Sequence, residues 1–205
     1  MNRDSLAQGA SFSALRPSAR RILLRGPNWI GDAVMCEPAI ASVRALFPQA
    51  ELTLLARPAI AELFTHHPDL NQILVYENRG AHAGLTGKWR LASQLRRHRF
   101  DLAILFQNAF EAALLAFLAG IPRRYGYATD GRRLLLSDPV PRPASPPHQV
   151  RYYLDMLRPL GSDGGERAPR LALSAGDEAA MAARDRKSTR LNSSHVSESR
   201  MPSSA

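Results

Sequence analysis

The sequence predicts an α/β fold, a parallel sheet covered by helices, on three observations. Short apolar segments alternate with segments of helical periodicity along most of the chain. Each short segment is apolar on both faces, the pattern of a strand buried between two layers rather than half-exposed. The chain is 205 residues long and 45% hydrophobic, enough for one sizeable domain, or one domain plus a fragment of another.

Residues 1–20 read as a leader. They carry Arg3, Asp4, Arg16 and Arg20 and no continuous apolar stretch, so they do not form a secretory signal. Arg21–Arg25 (RILLR) is the first strand, and Asp32–Phe47 the first helix, with Val34, Met35, Ile40, Val43, Leu46 and Phe47 at helical spacing until Pro48 stops it. Glu51–Ala56 is a strand and Pro58–Thr65 a short helix. Gln72–Tyr76 is a strand, followed by a polar loop from Glu77 to Gly87. Lys88–His98 is a basic helix, Asp101–Phe106 the fourth strand, and Phe110–Ala119 a helix expected to be buried on both sides. Arg124–Tyr127 suits a fifth strand. A proline-rich loop (Pro139, Pro141, Pro143, Pro146, Pro147) precedes a helix over His148–Leu160, and Pro169–Leu173 suits a last strand.

The longest apolar run, Ala112–Ile121, is far short of the eighteen or so residues that span a bilayer, so a soluble protein is expected. The single cysteine, Cys36, excludes an intramolecular disulfide and fits a reducing compartment. The net charge of +9 points to an anionic partner: nucleic acid, an anionic membrane surface or a phosphorylated substrate. A basic nucleic-acid-binding module is the rival from another class. Neither an aromatic-bearing strand nor a helix-turn-helix pattern supports it, and no nucleic-acid partner is expected.

The strongest local signal is Gly26-Pro-Asn-Trp-Ile-Gly31-Asp32, between the first strand and first helix, where an open parallel sheet gathers its ligands. The glycine spacing is that of a phosphate-binding P-loop, but Asp32 and Ala33 stand where that motif needs Lys and Ser/Thr. A carboxylate there repels phosphate. The dinucleotide fingerprint G-x-G-x-x-G is absent as well. By position alone Asp32 is either a helix cap, worth about 1 kcal/mol, or a general base.

This loop and three further segments resemble the lipopolysaccharide heptosyltransferases of glycosyltransferase family 9. GPNWIGDAVMCEPAI matches the family's opening. QNAFEAALLAFLAGIPRRYGY (Gln107–Tyr127), GRRLLLSDPV (Gly131–Val140) and HQVRYYLDML (His148–Leu157) follow in the family's order. The N/S-W-x-G-D loop is closer to the branch that adds the second heptose than to the one that adds the first. The resemblance implies a Rossmann-like sheet, as the N-terminal, acceptor-binding domain of a two-domain GT-B glycosyltransferase. It also implies inverting, metal-independent transfer of L-glycero-D-manno-heptose from ADP-heptose to the inner-core heptose, with Asp32 as catalytic base. No cofactor is expected, and no metal: His66, His67 and His98 show no ligand spacing. The expected partners are the ADP-heptose donor, held mainly by a second domain, and the lipid A–core acceptor. A first or later core heptose as product is the alternative within the family.

Around this base, Asn28 and Trp29 offer hydrogen bonds and a flat apolar face to a sugar, unless Trp29 merely packs on the first helix. Asn108, beyond the fourth strand, either lines the same cleft or caps the helix near Phe110. Arg123, Arg124, Arg132 and Arg133 suit the acceptor's phosphate and carboxylate oxygens, or else form a solvated face. The Lys88–His98 helix is either an ordinary surface helix or a peripheral contact with the cytoplasmic face of the inner membrane.

These readings divide the chain into a leader (1–20), the acceptor domain (21–174), the start of an interdomain segment (175–185) and a tail (186–205). The serine-rich tail lacks apolar periodicity and is either disordered or non-native, since it resembles translated adapter sequence at the ends of assembled environmental genes. The natural protein is therefore expected to continue differently past Ala183, and this chain to be an inactive fragment.

Overall fold

The computed structural model describes residues 19–145, 148–165, 168–172 and 176. All but the last two of these residues lie in one compact unit that ends at Leu171. The expected leader to residue 18, Leu173 and the tail from 186 lie outside the described residues, as do all but one of the positions 173–185.

Six strands form one parallel sheet: β1 (Arg21–Arg25), β2 (Glu51–Ala56), β3 (Gln72–Val75), β4 (Leu102–Leu105), β5 (Arg123–Tyr127) and β6 (Asp138–Val140), in the order β3-β2-β1-β4-β5-β6. The described helices are α1 (Ile30–Leu46), α2 (Pro58–Leu63), α3 (Gly84–Arg97), α4 (Phe110–Leu118) and α5 (Gln149–Leu157), with 3-10 turns at Arg132–Leu135 and Arg158–Leu160.

The alternation of side chains in each strand feeds two cores. Ile22, Leu24, Leu52, Leu54, Leu102 and Ile104 face α1, α2 and α5. Leu23, Leu55, Ala103 and Leu105 face Leu91 and Leu95 of α3 and Ala113, Leu115 and Ala116 of α4. Both faces are covered, which is why the central strands read as continuous apolar runs.

The predicted parallel sheet is observed, and four elements differ from expectation. Helix α3 begins at Gly84, within the stretch expected to be loop, despite two glycines in its first turn. Gly87 sits so close to the loop that a Cβ would lie 2.4 Å from the His82 carbonyl carbon. Helix α4 is not buried on both sides: Phe110 and Phe117 are 47% and 50% exposed. Residues 138–140 add a sixth strand that no periodicity announced, because it is short and contains Pro139, which an edge strand tolerates. Residues 169–172 form no strand.

Helix α1 carries Pro38 in its interior, which removes one helical hydrogen bond. Its buried face holds Glu37, whose Oε1 lies 3.2 Å from His67 Nε2 and whose Oε2 accepts a 2.8 Å bond from the Arg170 amide. The chain beyond α5 is thus tied back to α1 at Arg170. The Asp69 amide donates to His67 Nδ1 at 3.2 Å, so the ring proton sits on Nε2 and points at Glu37.

Candidate active site

The strand order reverses between β1 and β4, and open α/β sheets bind ligands outside the carboxyl ends of strands at such a switch point. The loop 26–29 leaves β1 here, and residues 106–109 leave β4 beside it. The Gly26 amide bonds to Leu55 O at 3.1 Å and the Gln107 amide to Arg25 O at 3.3 Å, so the two loops continue the ladder.

Gly31 is already the second residue of α1, and nothing lies within 4 Å of where its Cβ would be. The P-loop-like glycine spacing therefore frames no wrapped cradle. Trp29 precedes the helix in extended conformation and is 72% exposed, so it does not pack on α1. Its flat face is open at the rim.

Asp32 is the third residue of α1, half-buried, in the turn where the helix dipole favours a negative charge. No side-chain bond caps this helix. Among the described residues the Asp32 carboxylate has no hydrogen-bond or ion-pair partner, so it is held by its backbone and left open to a proton donor. Two buried groups register its charge. The Cys36 thiol is pushed up by burial, then by Glu37 and Asp32. The Tyr153 phenol is raised mainly by burial, with Cys36 and Asp32 adding to it.

Asn108 does not cap α4, whose capping position is Ala109. Its Nδ2 donates to the Tyr152 hydroxyl at 2.7 Å, and its Oδ1 accepts from Arg132 Nη2 at 3.2 Å. Arg132 is fully buried and also bonds the carbonyls of Tyr127, at 2.8 Å, and Gln107. These hydrogen-bond acceptors are neutral oxygens, and burial lowers its pKa to about 10, against the opposing pull of Tyr152 and Asp130. Gly126 makes the space: a Cβ there would lie 3.2 Å from Arg132 Nη2.

The four arginines are not brought together as one basic cluster. Arg123 forms a two-pronged ion pair with Asp138, at 2.7 and 2.5 Å. Arg124 donates to the carbonyls of Leu135, Ile121 and Pro122 and lies 5.4 Å from the Phe117 ring centroid. With Arg132 buried, Arg133 is the one of the four whose side chain is exposed.

Sequence reasoning missed a second polar group, on the other side of the switch point. Arg25 closes β1 while buried, donating to Gly26 O at 2.6 Å, Leu55 O at 3.3 Å and Asn28 Oδ1 at 3.0 Å. It lies 5.2 Å from the Tyr76 ring centroid. Burial lowers its pKa to about 10, partly offset by Tyr76 and Glu111. The Tyr76 hydroxyl donates to Glu111, which Lys88 pairs at 2.7 Å. The available signal was a cation closing the apolar run Ile22–Leu24 at the carboxyl end of β1. Among the described residues no group of three or more His, Cys, Asp or Glu could hold a metal, and no helix is long and apolar enough to cross a membrane.

A family model described as "Glycosyltransferase family 9 (heptosyltransferase)" matches residues 88–194, just over half of the chain. The chain is similar to lipopolysaccharide heptosyltransferase 2 of Escherichia coli K12, 31% identical over 118 residues, covering 58% of this chain and 34% of the relative. Among solved structures, the glycosyl transferase family 9 protein of Veillonella parvula matches with a TM-score of 0.71 at 17% identity, covering 77% of this chain and 46% of that one. The E. coli ADP-heptose lps heptosyltransferase II matches with a TM-score of 0.64 at 26% identity, covering 80% and 50%. The chain thus spans about a third of the curated relative and half of each solved structure.

Proposed function

This chain belongs to glycosyltransferase family 9 (heptosyltransferase), and on that premise we propose that it is the acceptor-side part of a lipopolysaccharide heptosyltransferase. The transfer proposed is of L-glycero-D-manno-heptose from ADP-heptose to the inner-core heptose, on the cytoplasmic face of the inner membrane. The observation that carries it is Asp32: a carboxylate fixed by a helix N-terminus at the switch point, with no partner among the described residues.

In one inverting displacement, Asp32 takes the proton of the acceptor hydroxyl while that oxygen bonds the anomeric carbon. The bond from the anomeric carbon to the diphosphate oxygen breaks, and ADP leaves with the electron pair. Basic side chains, rather than a metal, ease its departure. Asn28, Trp29 and Asn108 line the acceptor side, and Arg133 is the arginine presented to an anionic acceptor group. Arg123, Arg124 and Arg132 act by positioning, since their donors are engaged within the domain. Residues 21–174 form the acceptor domain in this reading. The donor site belongs to the part of its relatives' length that this chain does not span, so the chain alone binds donor poorly and turns over little. Similarity to relatives named heptosyltransferase 2 supports the second heptose as product over a first or later one.

The test is Asp32→Asn in a version spanning the relatives' full length. Loss of transfer with acceptor binding and fold retained supports the base; unchanged transfer removes it.

A further inference from the structure

Two buried arginines each hold an asparagine that follows a strand of the switch point. Arg132 Nη2 donates to Asn108 Oδ1 at 3.2 Å, and Arg25 Nη2 to Asn28 Oδ1 at 3.0 Å. An arginine has donors only, so each carboxamide must turn its oxygen to the guanidinium and its NH2 group away. The two asparagines then differ. Asn108 Nδ2 is spent on the Tyr152 hydroxyl, at 2.7 Å. Asn28 Nδ2 makes no hydrogen bond among the described residues, to Asp32 or any other, and it reaches solvent.

Stability alone does not call for a cation at position 25. Arg25 is 1% exposed, and its Nε is buried with no hydrogen-bond partner among the described residues. An apolar side chain would prolong the run Ile22–Leu24, and exchanging a buried charge for a well-packed apolar group is often neutral or stabilising. Yet the guanidinium is carefully held. Nη1 donates to Gly26 O and Leu55 O, at 2.6 and 3.3 Å, and the Tyr76 ring, anchored by its hydroxyl bond to Glu111, lies 5.2 Å away. Sealed in this way, Arg25 cannot touch a ligand. It can act only through what it holds, and Asn28 is the part of that set with a free donor.

The hold is electrostatic as well as steric. Donation from a guanidinium to the amide oxygen polarises the amide and strengthens its N–H donors. The oxygens that Arg25 meets are all neutral, and Glu111, the acid that acts on it, is paired by Lys88 at 2.7 Å. A donor backed by a cation with no carboxylate of its own suits an anionic oxygen better than a neutral one.

We propose that Arg25 is a positioning residue that fixes the Asn28 carboxamide with its NH2 group outward, so that Asn28 binds an anionic oxygen of the acceptor. The inference rests on the acceptor-side reading of this domain, and its test separates the two.

The test is an NMR titration of the isotope-labelled full chain with a deacylated, heptose-terminated core oligosaccharide that keeps its carboxylates and phosphates. The Asn28 NH2 signals are identified by their loss in Asn28→Asp. They should shift and saturate with this oligosaccharide, and stay in place with ADP or with its carboxyl-reduced, dephosphorylated form. Asn28→Asp keeps an oxygen for Arg25 but has no donor to offer. It should weaken binding about tenfold, with the unfolding midpoint no lower. Arg25→Met should also weaken binding and move the Asn28 NH2 signals, and Arg25→Lys should restore part of both. Should Arg25→Met not fold, Arg25→Lys and Asn28→Asp still decide. Asn28 signals that stay fixed while the Trp29 indole signal moves would overturn this proposal and leave the acceptor reading standing. So would a shift with ADP alone, an equal shift with the neutral sugar, or parent-like binding by Asn28→Asp. A parent chain that does not bind the oligosaccharide would overturn both.

Discussion

Asn108 Nδ2 and the Tyr152 hydroxyl meet at 2.7 Å, joining the end of β4 to α5 across the mouth of the sheet. The Tyr152 ring in turn lies 4.6 Å from that of Tyr127. Tyr152→Phe keeps the ring and deletes the bond, leaving one half-buried amide donor unpaired. A loss of about 1 kcal/mol is expected in urea unfolding. An unchanged midpoint would show that water replaces the hydroxyl at no cost.

Asp32→Asn should leave the fold nearly untouched. The carboxylate has no side-chain cap bond to lose, so only its favourable interaction with the helix dipole disappears, about 0.3–1 kcal/mol. Thermal unfolding in low salt measures this. A loss well above 2 kcal/mol would restore Asp32 to a structural role.

Gly87→Ala should be among the most damaging single-methyl additions. The new Cβ would meet the His82 backbone at 2.4 to 2.9 Å, and backbone cannot swing aside as a side chain can. A cost of about 1–3 kcal/mol is expected from overpacking. Full stability in the variant would mean that the loop ahead of α3 adapts freely.

Glu111 makes stability depend on acid. Burial pushes its carboxyl up, but the hydrogen bonds from Lys88 and Tyr76 and the Lys88 charge outweigh that and hold it below the ordinary 4.5. A carboxylate depressed in the folded state stabilises above its unfolded value and loses that contribution as pH falls through the folded one. The unfolding midpoint should therefore drop more steeply below pH 4.5 in the parent than in Glu111→Gln. Parallel acid profiles would exclude the network as a source of stability.

How much of this was legible depended on whether a residue's role is set locally. The central strands were, because burial on both faces leaves an unbroken apolar run; β6 was not, since Asp138–Val140 is short and is held by residues distant in the chain, through its pairing with β5 and the Arg123–Asp138 ion pair. The start of α3 was hidden by Gly84 and Gly87, poor helix formers that tertiary contact overrides. Asp32 was legible because a strand, a short loop and a helix fix its place. The arginines were not. Nothing near Arg132 in the chain says that Gly126, Gln107 and Asn108 will enclose its guanidinium, nor that Arg25 will be sealed beneath Tyr76.

The pairing of β1 with β4, Ile22 opposite Leu102, sets an order of events. Closing that long loop is entropically slow, and nothing local rewards it until the ladder forms. The turn bearing Asp32 can be made early, from neighbours in sequence. Asn108 reaches its place at the end of β4 only after that strand has slotted against β1. A nascent chain halted before Leu102 would hold the Asp32 turn without the loop that leaves β4, so the candidate site is completed late in folding.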